Sequence, residues 1–143
     1  MDAIIAGWKY LNERQLNLSD TAENVRSACI EQLLSRKAED LIAIDLRQTA
    51  DFADYFIICT GTSDVHVRAL ADAVIEGLKA EGQPPYQVEG YDVRKWILID
   101  LFDIVVHIFQ KESRQFYGLE RLWRDAPIER IEDDVLDNLI RDP

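Results

Sequence analysis

The sequence predicts a single α/β domain, and three observations carry that prediction. Two short runs rich in β-branched and aromatic residues, LIAIDL at 41–46 and YFIIC at 55–59, have the length and composition of strands. Two longer stretches, 20–37 and the one that follows Ser63, place apolar residues at helical spacing. WILID at 96–100 and IVVHIF at 104–109 then form a hairpin across a tight turn. With 143 residues the chain is one domain by length. A domain of this size buries roughly 70% of its unfolded surface and folds without disulfide or metal.

Residues 1–19 form an N-terminal extension with a polar stretch at 12–17 and no firm period. The first helix opens near Asp20, with Glu23 at capping-box distance. Val25, Ala28, Cys29, Gln32, Leu33 and Arg36 trace one side of it. The strand at 55–59 is continuously apolar, which predicts a central strand covered on both faces. Thr60-Gly61-Thr62-Ser63 leads into the second helix, with Thr62 or Ser63 as N-cap. Val67, Leu70, Ala71, Val74, Ile75 and Leu78 make its buried stripe. Gly82 stands where a C-terminal glycine cap belongs, and Pro84-Pro85 ends the helix. Gln87 to Glu89 reads as a short edge strand closed by Gly90.

A two-residue turn at Phe102-Asp103 pairs Trp96 with Phe109, Leu98 with His107 and Asp100 with Val105. Those six residues share one face. Ile97, Ile99, Ile104, Val106 and Ile108 fill the other, which is wholly aliphatic and calls for helices above it. Past the hairpin, Ser113 caps a short helix that Gly118 weakens, with Phe116, Leu119 and Trp123 on one side. Residues 126–143 read as an acidic tail outside the domain at 20–125, with few core positions. Val135, Leu136, Leu139 and Ile140 sit at helical spacing within it.

Net charge is −11 and the pI about 4.5. Phosphate neutralisation needs lysine and arginine, so the balance argues against direct reading of nucleic acid and suits a basic protein partner. Cys29 and Cys59 lack metal-ligand spacing and read as reduced, buried thiols in a cytoplasmic protein. No targeting run and no membrane-length apolar run is present.

Chemistry has few footholds. Gly61-Thr62-Ser63 between strand and helix offers helix N-terminal N–H groups to an anion, but it lacks the glycines and lysine of phosphate loops. A strand-to-helix turn with an N-cap is the simpler reading. His66 and His107 lie on different elements. Asp64, Asp72, Asp100 and Asp103 are the carboxylates that could serve either as a metal or base partner, though a histidine bonded to a neighbour is the commoner outcome.

The ordered segments DLIAIDL, ADYFIICTGTSDVHVRALAD, EGYDVRKWILIDLFDIVVHIF and ESRQFYGLERLW, spanning 40–123, together resemble the ribosomal silencing factor (Iojap) family. The resemblance implies a mixed five-stranded sheet with helices packed on it, of nucleotidyltransferase-like topology without the catalytic carboxylates. It implies a non-enzymatic translational repressor without cofactor or metal. The partner would be ribosomal protein number fourteen of the large subunit at the intersubunit face, where the factor blocks joining of the small subunit; some members form homodimers. The competing reading is a nucleotidyltransferase-like enzyme that binds phosphate at Gly61-Thr62-Ser63. Resemblance and strand alternation converge on Trp96, Leu98, Asp100, Tyr117, Leu119, Leu122 and Trp123 as the partner-binding surface. One departure stands out. Relatives carry Gly-Asp at the hairpin turn where Phe102-Asp103 stands here, which puts the register in question, because phenylalanine resists the positive φ of tight hairpin turns.

Overall fold

The structure, a computed structural model, describes residues 18–132. The expectations for residues 1–17 and for Val135, Leu136, Leu139 and Ile140 lie outside the described residues.

The chain runs α1 (Leu18–Ser35), β1 (Glu39–Asp45), β2 (Tyr55–Gly61), α2 (Asp64–Ala80), β3 (Gln87–Glu89), β4 (Trp96–Asp100), β5 (Ile104–Gln110), α3 (Lys111–Tyr117), α4 (Leu119–Leu122) and β6 (Ile128–Arg130). The strands form one mixed sheet in the order β3-β4-β5-β2-β1-β6. β2 and β5 are parallel, and every other neighbouring pair is antiparallel. β2 is buried along its whole length, as its unbroken apolar run requires.

The first helix is already formed at Leu18, so Asp20 is not its N-cap. Glu23 instead accepts a hydrogen bond from the Tyr55 hydroxyl at 3.1 Å, fastening α1 to β2. α2 follows the expectation closely. Ser63 is its N-cap, with Oγ accepting from the His66 N–H at 3.1 Å, and Val67, Leu70, Ala71, Val74 and Leu78 are buried. Gly82 takes φ +77° just beyond the C-terminus.

The sheet has six strands where the resemblance implied five. The sixth comes from the stretch expected to be an acidic tail from residue 126 onward. Ile128, Glu129 and Arg130 pair with Ile44, Ala43 and Ile42 of β1. Ala126 is buried in the core, the Asp45 N–H donates to the Pro127 carbonyl at 2.9 Å, and the Ile131 N–H donates to the Leu41 carbonyl at 2.9 Å. The Arg26 guanidinium reaches from α1 to the Glu129 carboxylate. Charge pattern concealed this strand, because its side chains are exposed and only its backbone is used.

The hairpin register is as the alternation predicts: Trp96 opposite Phe109, Leu98 opposite His107, Asp100 opposite Val105. Phe102 does not lengthen the turn. It accepts φ +72°, while the Asp103 N–H donates across it to the Leu101 carbonyl at 3.1 Å. Asp100 Oδ1 accepts from the Phe102 N–H at 2.9 Å, and the Phe102 ring packs on Tyr86 with centroids 4.6 Å apart.

Candidate functional site

The two faces of the sheet are built from different residues. On one, Ile97, Ile99, Ile104, Val106 and Ile108 lie under α1 and α2, and all five are fully buried. Cys29 and Cys59 belong to this same core as free thiols, and burial pushes each up to about 12. Such thiols are not nucleophiles at neutral pH.

Among the described residues the other face is covered by α3, α4, the segment at 46–54 and Ala126. Its core holds Phe56, Ile58 and Phe109, with Trp96, Leu119 and Trp123 packed at the margin and part-exposed. The aromatic rings form a continuous row. Tyr117 lies 4.6 Å from Trp96, Trp96 stacks on Phe109 at 4.9 Å, and His107 meets Phe56 edge-on at 4.5 Å. Phe56 in turn meets Trp123 at 6.0 Å, and Phe52 caps Trp123 at 5.8 Å.

His107 sits inside this row at 3% exposure. Its Nδ1 accepts from the Trp96 indole N–H at 3.1 Å. The indole only donates, so the imidazole is neutral with its proton on Nε2, and Nε2 has no partner among the described residues. Desolvation lowers the pKa of His107 to about 4. It therefore does not act as a base raised by a carboxylate; Asp100, the nearest sequence candidate, is spent on the Phe102 N–H. Its contribution is to orient Trp96.

The seven residues expected on the binding surface divide accordingly. Trp96, Leu98 and Asp100 are half-buried on the sheet, with Asp100 holding the turn. Tyr117 is 52% and Leu122 72% exposed, standing above Trp96 and beside Trp123 respectively in the α3–α4 cover. Leu119 and Trp123 are half-buried anchors of that cover. Sequence reasoning missed Phe52 and Phe116, exposed at 61% and 79%. The spacing puts Phe116 on one side of the short helix with Leu119 and Trp123. The signal was Gly118: at φ +57° it breaks the helix into α3 and α4, so the 116/119/123 spacing no longer describes one side.

The phosphate reading of Gly61-Thr62-Ser63 loses two of its donors. The Thr62 N–H donates to His66 Nδ1 at 2.8 Å, and the His66 N–H goes to Ser63. His66 Nε2 donates to the Arg36 carbonyl at 2.8 Å, so both ring nitrogens are used in tying the end of α1 to this turn. A Cβ at Gly61 would stand 2.6 Å from Val67 Cγ2, so the glycine serves close helix-to-strand packing. Among the described residues no three His, Cys, Asp or Glu side chains gather as a metal site, and no helix is long and apolar enough to cross a membrane. Asp64 accepts from the Gln110 amide and Asp72 from the Tyr91 hydroxyl at 2.7 Å.

Comparison with known proteins converges on one family. The family model described as "Ribosomal silencing factor during starvation" matches residues 19–141. The chain is 43% identical over 93 residues to Ribosomal silencing factor RsfS of Bacillus subtilis, covering 65% of this chain and 79% of that protein. It is 32% identical over 94 residues to mouse "Mitochondrial assembly of ribosomal large subunit protein 1", covering 64% of this chain and 41% of that one. A crystal structure of a Chromobacterium violaceum protein superposes with a TM-score of 0.69 at 33% identity, covering 71% of this chain and 84% of that chain.

Proposed function

Because this chain belongs to the ribosomal silencing factor family, we propose that it binds the large ribosomal subunit and represses translation by steric block. The aromatic face docks on the basic ribosomal protein number fourteen at the intersubunit side, and the bulk of the domain then excludes the small subunit. The observation that carries this reading is the half-covered row from Tyr117 through Trp96 to Trp123, bordered by exposed Phe52, Phe116 and Leu122. Part-exposed tryptophan and tyrosine around a packed aromatic centre is the composition of an interface hot spot.

Two further features support it. The mouse relative's name associates that protein with large-subunit assembly. Net charge of −11 steers the domain toward a basic protein and away from bare rRNA. Steric block needs no catalytic group, in keeping with a turn at 61–63 whose Thr62 and His66 donors are satisfied internally.

The test is affinity and stability measured on the same variant. Trp96→Ala should weaken binding to the purified large-subunit protein by about thirtyfold, roughly 2 kcal/mol. The variant should remain folded, because Trp96 lies at the margin of its core cluster rather than inside it. Wild-type affinity in a folded Trp96→Ala chain would remove the aromatic face from the binding site. A subunit-joining assay by light scattering then shows whether binding alone suffices for the block.

A further inference from the structure

A cleft of about 520 Å³ opens between β1, β2, β6 and the α3–α4 segment, and its walls reverse the charge of the molecule. Lys111, Arg114, Arg121 and Arg130 line it, against the carboxylates of Asp40 and Glu120, in a chain of net charge −11. The Glu120 carboxylate is committed to Arg114 Nε at 2.6 Å. Lys111 and Arg130 have no ion-pair partner among the described residues.

Arg114 is fixed before any ligand arrives. Its side chain is 13% exposed, and Nη1 donates to the Asp40 carbonyl at 2.7 Å and to the buried Thr60 hydroxyl at 2.9 Å. Nη2 has no partner among the described residues and is not one of their buried unsatisfied atoms. A guanidinium locked by three hydrogen bonds with one nitrogen left over is pre-organised for an oxyanion.

Topology points to the same place by a separate route. β2 and β5 are adjacent and parallel. β2 leads into α2 on the aliphatic face, whereas β5 leads directly into α3 on the aromatic face. Where connections leave neighbouring parallel strands on opposite sides, a crevice forms at their carboxyl ends, and ligands in α/β proteins bind there. Thr60, at the end of β2, and Lys111, directly after β5, stand at that crevice.

We propose that this cleft is a binding site for a small phosphorylated ligand. Three further cations around one pre-positioned guanidinium, against the carboxylates of Asp40 and Glu120, exceed what a single carboxylate requires and match the charge and acceptor count of a phosphate or diphosphate group. The volume suits a small molecule, for which pockets run about 300–1,000 Å³. Extended RNA is disfavoured by the acidity of the surrounding surface. The proposal does not depend on where the ribosomal partner docks.

The experiment titrates inorganic pyrophosphate into the full chain and follows backbone amide shifts by NMR. Saturable one-to-one binding is expected, with shifts centred on residues 60, 111–121 and 130. Lys111→Gln and Arg130→Gln should each weaken it about tenfold, the usual loss for one charged hydrogen bond. Both side chains are exposed and outside the Arg114 network, so melting should be unchanged; Arg114 is left intact because the fold uses it. Absence of saturation in the wild-type chain, or wild-type affinity in both variants, overturns the site. A single-stranded oligoribonucleotide that binds with the same variant sensitivity while pyrophosphate does not would assign the cleft to RNA and overturn the small-ligand reading.

Discussion

The two faces of the hairpin come from alternate residues of the same strands and end in opposite states. Ile97, Ile99, Ile104, Val106 and Ile108 lie sealed beneath two long helices, while Trp96, Leu98 and Asp100 remain half-buried, with Trp96 against Tyr117 of a short helix. The sealed face is stabilised by burial alone, and any polar atom there would need a partner. The open face tolerates polar atoms because they bond to one another, indole to imidazole and carboxylate to turn. Burial on the first is complete, whereas the second leaves Trp96, Leu119 and Trp123 part-exposed, the area that the proposed docking would bury.

The largest effect that tests this contrast comes from matched truncations, one per face. Ile108→Ala empties a fully buried position between sheet and helices and should cost ~2–5 kcal/mol in urea unfolding. Leu122→Ala removes a larger exposed surface and should change stability by less than about 0.5 kcal/mol. Equal costs for the two would mean that the aromatic side is ordinary core.

Acid should distinguish the faces next. His107 has a folded pKa of about 4 against the ordinary 6.5, so the unfolded chain binds more protons between those values. Above pH 6.5 both states are neutral and His107 adds no pH dependence. As pH falls from 6.5 toward 4, stability drops, by roughly 3 kcal/mol at the lower end. Protonation also removes the acceptor from Trp96, so indole fluorescence should report the same transition. The pH slope of His107→Phe, subtracted from that of the wild type, isolates this contribution from the carboxylates. Parallel slopes for the two chains would show that His107 is not held neutral by burial.

Much of this contrast was legible in the sequence. Period-two alternation specifies which residues share a face, and a buried face on one side leaves no freedom for slippage. The Trp96–His107 bond lay one step further: Trp96 faces Phe109, and His107 is the diagonal neighbour two residues away, within reach of a long side chain. β6 was not legible, because Ile-Glu-Arg carries no alternation and exists as a strand only through pairing with β1. The Arg114 cleft was hidden for a similar reason. Its contacts reach Thr60 and Asp40, 54 and 74 residues away, and Glu120 across the break at Gly118.

The sixth strand can be weighed by two truncations, one ending at Glu132 and one at Asp125. The shorter chain loses the β1 pairing, the Asp45–Pro127 and Ile131–Leu41 hydrogen bonds and the Arg26–Glu129 contact. At about 0.5–1.5 kcal/mol for each net hydrogen bond, the difference between the two should be about 2 kcal/mol. The aromatic side should bear the loss, since the deleted Ala126 belongs to the same cluster as Ile42 and Ile44. Identical melting of the two chains would make β6 an ornament of the edge.

The smallest effect concerns the turn that assigns residues to faces. Phe102 holds φ +72°, a conformation that costs a non-glycine residue on the order of 1 kcal/mol. Against this stands its exposed contact with Tyr86, worth about 0.5–1.5 kcal/mol. The two nearly cancel, so Phe102→Gly alone should leave melting almost unchanged. Removing the contact first separates them. In a Tyr86→Ala background, Phe102→Gly retains only the relief of strain and should stabilise the chain by about 1 kcal/mol. Register should survive in both, because Asp100 Oδ1 accepts from a backbone N–H that glycine also supplies. Amide exchange at Ile97 and Ile99 reads that register directly. Loss of their protection in the glycine variant would show that the Phe102–Tyr86 contact, and not the alternation, holds the aliphatic residues toward the helices.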